Sequence, residues 1–128
     1  MEEKVKYEME FPIKASPSLL YNYISTPSGM SEWYADNVNS RGEFFTFIWD
    51  GSEEKAKLLG KKTNERIKFR WMVDDGSDYF FELRIQVDEI TKDVSLMITD
   101  FAEDDEIDEG KMLWENMVSE LKQILGST

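Results

Sequence analysis

The 128-residue chain contains neither histidine nor cysteine. Each absence removes chemistry. Thiol and imidazole nucleophiles are excluded, and with them any Ser-His-Asp triad. Cysteine/histidine zinc sites and haem or iron–sulfur ligation through these residues are excluded as well. No disulfide can form, so the fold is held by packing. Positive charge is scarce: 15 Lys and Arg stand against 27 Asp and Glu, a formal net charge of −12. That balance argues against nucleic acid and anionic membrane surfaces, which are bound through basic patches and cation release. Apolar runs extend only a few residues, too short to span a bilayer. Met1-Glu2-Glu3-Lys4 lacks the basic and apolar regions of a secretory signal, so the expected location is cytoplasmic.

What is present is aromatic. Phe, Trp and Tyr make up 13% of the chain, including 4 Trp and 8 Phe. They are clustered, which points to a folded chain despite the charge. The length suits a single domain over residues 1–128. A chain of this size buries roughly two-thirds of its unfolded surface, enough for a proper core.

Periodicity divides the chain. From Lys4, the residues Val5, Tyr7, Met9 and Phe11 alternate with Lys4, Lys6, Glu8 and Glu10, the pattern of a half-buried strand. Pro12 is expected to limit it. Ser16-Pro17 and Thr26-Pro27 each pair a hydroxyl cap with a first-turn proline, so two helices should follow. Leu19, Leu20, Tyr23 and Ile24 share one face of the first; Met30, Trp33 and Tyr34 lie along the second. A run of strands comes next. One ends near Ser40 before an Arg41-Gly42 turn, and Glu43 to Trp49 and Glu54 to Lys61 flank an Asp50-Gly51 hairpin turn. Ile67, Phe69 and Trp71 alternate with Arg66, Lys68 and Arg70. The last strands are Tyr79 to Val87 and Val94 to Phe101. Ile107 to Leu125 then follows helical spacing, with Gly126 as a natural stop.

A run of antiparallel strands needs one face covered, and the long terminal helix is the element able to cover it. Within this order of elements, several stretches carry a family likeness. They are Ser25 to Tyr34, Ser40-Arg41-Gly42-Glu43-Phe44, Glu65 to Trp71, and Leu113-Trp114 through Leu125. Together they resemble the START-like or SRPBCC superfamily, the helix-grip fold. The nearest likeness is to the branch named for activators of the heat-shock chaperone ATPase. The whole chain also looks like a bacterial subgroup called START-like domain proteins. One departure is a single Gly42 where many relatives carry two glycines. The resemblance implies an α+β fold. A curved antiparallel sheet of about seven strands surrounds a long C-terminal helix, with two short helices after strand one and a cavity between sheet and helix.

Candidate residues follow from that cavity. Trp33, Tyr34, Phe47, Trp49, Phe69, Trp71, Phe81, Trp114 and Met117 are expected to wall a ligand site, since such sites are largely apolar with a few placed polar groups. The competing expectation is that large aromatics fill the space as core. The acidic run from Asp100 to Glu109 does not match an EF-hand loop, and is read as charge at the start of the last helix, with Asp as a cap. No metal, cofactor or catalytic residue is assigned. Glu32, Asp36 and Asp50 lie near the aromatic segments as candidate acids, and Arg41 or Arg70 as candidates to orient a ligand carboxylate. Lys55, Lys57, Lys61, Lys62, Arg66, Lys68 and Arg70 gather on two consecutive strands, a solvated sheet face or a patch for an acidic partner or second copy.

The leading expectation is non-enzymatic binding of a small apolar or amphipathic ligand between sheet and helix. The alternatives are a protein-interaction module such as a chaperone cofactor, and a cyclase-like enzyme using pocket carboxylates. Expected partners are a small hydrophobic ligand, a protein partner or a homodimer, and neither nucleic acid nor membrane.

Overall fold

The computed structural model describes residues 3–127. Met1 and Glu2, on which the reading of the N-terminus partly rests, and Thr128 at the end of the expected domain lie outside the described residues. Seven strands form one antiparallel sheet: β1 (Lys4–Ile13), β2 (Asn37–Arg41), β3 (Phe44–Trp49), β4 (Ser52–Lys62), β5 (Arg66–Trp71), β6 (Phe81–Val87) and β7 (Val94–Glu103). Their spatial order is β1-β7-β6-β5-β4-β3-β2. Consecutive strands from β2 to β7 are neighbours, and β1 closes the far edge against β7. Helices α1 (Pro17–Ser25) and α2 (Pro27–Met30) follow β1, and α3 (Ile107–Leu125) ends the chain. This is the α+β helix-grip architecture expected from the order of elements.

Local chemistry explains most boundaries. Ser16 accepts from the Leu19 amide and Thr26 from the Gly29 amide, each cap followed by proline. Thr26 thus ends α1 and starts α2 at once. Gly29 permits the tight junction: a Cβ there would collide with the Asn22 carbonyl oxygen and lie 2.7 Å from the Tyr23 Cα. In the β3–β4 turn Asp50 and Gly51 both have positive φ, 50° and 84°, as a type I′ hairpin requires. At the end of α3, Gly126 is left-handed and the Ser127 amide donates to the Lys122 carbonyl at 2.7 Å. The Ser127 hydroxyl accepts from the Lys14 amide at 2.7 Å, which ties the helix end to the β1–α1 loop.

Four expectations are corrected. Pro12 does not stop β1, which continues to Ile13, because β1 is an edge strand and has room for a residue without an amide donor. Along α1 the buried residues are Leu20, Tyr21, Ile24 and Ser25, while Leu19 is exposed. Helix α2 is shorter than the sequence suggests, so Trp33 and Tyr34 sit in the turn beyond it. No aspartate caps α3: a 3₁₀ turn, Asp104–Glu106, runs directly into the helix and no side chain bonds its first amides.

The inward face follows the period of two. Phe45, Phe47, Phe69, Phe81, Leu83, Leu96 and Ile98 are all buried on the side facing α3, which contributes Trp114, Val118 and Leu121. On the opposite face Lys57 pairs with Arg70 and Lys62 with Arg66 across the β4–β5 ladder. Lys61 leaves this set, because a bulge between Leu58 and Gly60 brings it opposite inward-facing Ile67.

Candidate functional site

Between the sheet and α3 the side chains change in kind from one end to the other. At one end Phe47 and Phe69 are fully buried and Phe81 is 1% exposed. Phe45 meets Phe69 edge-on at 4.9 Å, and Phe69 stacks on Phe81 at 5.1 Å. These rings fill their space. At the other end an open cleft of about 910 Å³ remains. Its apolar walls are Trp33, Tyr34, Trp49, Trp71, Leu113, Trp114 and Met117. The acidic residues Glu32, Asp36, Glu54, Asp100 and Glu120 line it as well.

Four elements build the aromatic wall. The turn after α2 brings Trp33 and Tyr34 under the C-terminal helix, β3 and β5 supply Trp49 and Trp71 from their inward faces, and α3 supplies Trp114. Tyr34 is the hub: its ring lies 5.3 Å from Trp49, 5.4 Å from Trp114 and 5.2 Å from Phe47. The indole N–H groups are anchored inward. Trp33 donates to the Tyr23 carbonyl and Trp49 to the Tyr34 carbonyl, each at 2.8 Å, and Trp114 to Asp100 Oδ2 at 2.9 Å. Ring faces and edges, rather than these donors, are therefore what the three tryptophans offer to the cleft.

Asp100 is the best-held carboxylate of the site. Strand β7 points Leu96, Ile98 and Asp100 to the same side, so a charged group enters an apolar layer. Its Oδ2 accepts from Trp114 Nε1 and, at 3.3 Å, from the Tyr7 hydroxyl; its Oδ1 accepts from the Phe101 amide at 2.8 Å. Burial raises its pKa above the usual carboxylate value, and these hydrogen bonds, together with the Lys4 charge, partly offset the rise. The Tyr7 phenol is pushed up in turn, by burial first and then by the Asp100 charge. Gly110 lets this network reach the helix: a Cβ there would lie 2.6 Å from the Tyr7 hydroxyl. Tyr34 is raised well above its ordinary value, chiefly by burial and then by the charges of Asp100 and Glu54.

The structure thus brings six of the nine expected wall residues to the cleft: Trp33, Tyr34, Trp49, Trp71, Trp114 and Met117. Phe47, Phe69 and Phe81 do not line it; they lie behind the wall in the filled region, where no surface is left for a ligand. Of the candidate acids, Glu32 and Asp36 line the cleft, but Asp50 does not. Asp50 sits in the hairpin turn, and its amide donates to Asp36 Oδ2 at 2.6 Å. Arg41 and Arg70 are not among the lining residues either; Arg70 donates from Nε to the Tyr79 carbonyl at 2.8 Å. Glu54 and Asp100 were missed as site residues, although alternation carries both: Glu54 shares its face with Ala56, and Asp100 with Ile98. The rest of the acidic run spans the end of β7, the 3₁₀ turn and the first turn of α3. Within it Glu103, Asp105 and Glu106 hold carboxylate oxygens within 4.8 Å of one another.

A family model for the START-like superfamily domain matches residues 1–127. The chain belongs to the START-like superfamily. Among solved structures, this START-like chain is similar to a Bacteroides fragilis protein determined by NMR, at 34% identity, over 97% of this chain and 92% of that one, with a TM-score of 0.68. The Aha1 dimer from Colwellia psychrerythraea shares 18% identity over 94% of this chain and 96% of its own, with a TM-score of 0.79. A Cytophaga hutchinsonii protein shares 17% over 98% and 97%, with a TM-score of 0.73. The last two are likenesses of fold. No curated protein matches the chain. Among the described residues no helix is long and apolar enough to cross a membrane.

Proposed function

We propose that this START-like domain binds a small amphipathic molecule in the cleft between the sheet and α3, without chemical conversion. The observation that carries the reading is the cleft itself. About 910 Å³ stays open in a molecule whose neighbouring space is packed with phenylalanine. Its size lies within the range of small-molecule sites, and its lining joins apolar rings to a few polar groups. Burial of a ligand against these rings is worth about 25 cal/mol per Å² of apolar surface removed from water.

A ¹H–¹⁵N NMR fragment screen, joined to native mass spectrometry of protein purified from its own host, tests the reading. Shifts should concentrate on the indole N–H signals of Trp33, Trp49, Trp71 and Trp114, and the purified protein should carry added small-molecule mass. Shifts scattered over the outer sheet face, with an unladen mass, would overturn it.

A further inference from the structure

The cleft is rich in acceptors and poor in donors. Five lining residues are carboxylic acids, and none is Lys or Arg. The ion pairs among the described residues, Lys4–Asp74 and Lys62–Glu65, involve none of the five. Three of the four indole N–H groups are spent on internal acceptors. The Ser31 hydroxyl donates to the Pro27 carbonyl at 2.7 Å, so it too is occupied. An anionic ligand entering this space would meet carboxylates and the negative faces of aromatic rings, with little to bind it.

A second observation is independent of the acids. Tyr34, which lines the cleft, is only 5% exposed, yet its hydroxyl has no hydrogen-bond partner among the described residues. Among those residues no fully buried side-chain oxygen or nitrogen lacks a partner. The Tyr34 hydroxyl therefore keeps an opening, and the cleft is the cavity it borders. Burial, and then the charges of Asp100 and Glu54, keep this phenol neutral, so it can both donate and accept a hydrogen bond.

We propose that the cleft selects organic cations, in which an ammonium or guanidinium group is joined to an aromatic or aliphatic body. This rests on the reading of the cleft as a small-molecule site and adds the charge of the ligand. The body lies against Trp49 and Trp71, which are only partly buried, the cation over their ring faces and within reach of Glu54 and Glu120. Tryptophan offers the strongest cation–π surface of the natural side chains, and partial desolvation strengthens the attraction. The net charge of −12 adds a long-range field that draws cations and repels anions.

Titration with three probes that share a phenylalkyl body and carry a small head group separates charge from burial: 4-phenylbutylammonium, 4-phenylbutanol and 4-phenylbutyrate, followed by tryptophan fluorescence and calorimetry. The cation should bind at least tenfold more tightly than the alcohol, the carboxylate more weakly than both, and added salt should narrow the gap. Glu54→Gln with Glu120→Gln should reduce the cation-to-alcohol ratio severalfold. Glu8→Gln with Glu82→Gln, which removes the same charge from the outer face, should leave that ratio as it was. Equal affinities for the three probes, or tighter binding of the carboxylate, would overturn cation selectivity and leave the cleft as a binding site. Binding of none of the three would overturn the selectivity, and it would count against the broader reading only if the fragment screen also leaves the tryptophan signals unmoved.

Discussion

The two ends of the space between sheet and helix are built from the same residue class to opposite effect. At one end Phe45, Phe47, Phe69 and Phe81 are buried and interlock. At the other, Trp49, Trp71 and Trp114 stand around Tyr34 and leave a cleft. The difference lies in what each ring carries. A phenylalanine has no polar atom to satisfy and can be closed in on every side. A tryptophan must place its N–H, and here the Trp33, Trp49 and Trp114 donors are fixed to specific acceptors. Fixing one edge orients the ring. It then acts as a wall, and carboxylates line the space between the walls.

Truncation should separate the ends most sharply. Phe47→Ala or Phe69→Ala removes a fully buried ring and should cost about 3–5 kcal/mol of stability. Trp49→Ala, at a half-exposed ring, should cost roughly half as much while removing most of the affinity for a cleft ligand. Urea midpoints and probe titration on the same variants check this. Equal losses of stability would mean that both ends are one core.

Gly110→Ala probes the seam where α3 meets the sheet. Alanine is favoured over glycine in a helix by about 1 kcal/mol, but here its Cβ would run into the Tyr7 hydroxyl. The variant should therefore be destabilised by roughly 1 kcal/mol, within the usual range for overpacking. In a Tyr7→Phe background the same change should become neutral or stabilising. A destabilisation of the same size in both backgrounds would remove the hydroxyl from the explanation.

Asp100 gives a pH test of smaller size. Its folded-state pKa is raised above the ordinary aspartate value, by burial first. Between the ordinary and the raised value the folded chain binds more protons than the unfolded one, so this group's contribution favours folding as pH falls through that window. The groups around it are Tyr7 on β1, Tyr34, Trp114 and the Lys4 charge; the two phenols stay neutral there. Wild type should therefore gain on Asp100→Asn as pH falls from 7 toward 4, read as the difference in urea midpoints. A difference that is flat with pH would contradict the burial of this carboxyl.

The smallest effect is expected on the outer face. Lys57→Glu should change stability by no more than about 0.5 kcal/mol and leave probe binding unaltered. A loss of binding from that side would connect the two faces of the sheet.

Much of the fold is legible because its signals are local. The caps Ser16 and Thr26, the Asp50-Gly51 turn, the alternation of Ile67, Phe69 and Trp71, and the Gly126 stop each depend on a few adjacent residues. The site is less legible. Asp100 belongs to an acidic run in the sequence and reads as charge at the start of a helix. Its place on an inward face follows from the alternation of β7, which puts it on the side of Ile98, two residues earlier. Leu113 reads as core by its spacing, yet it is 60% exposed at the cleft rim.

By itself the sequence determined the excluded chemistries, the order of elements and which faces are apolar, since these follow from residue identity and from periods of two and 3.6. Which aromatics became core and which became wall was decided only in the tertiary structure. Ring packing and indole hydrogen bonds join residues far apart in the chain, such as Tyr34 with Trp114 and Trp114 with Asp100. No local pattern specifies how much space such contacts leave open.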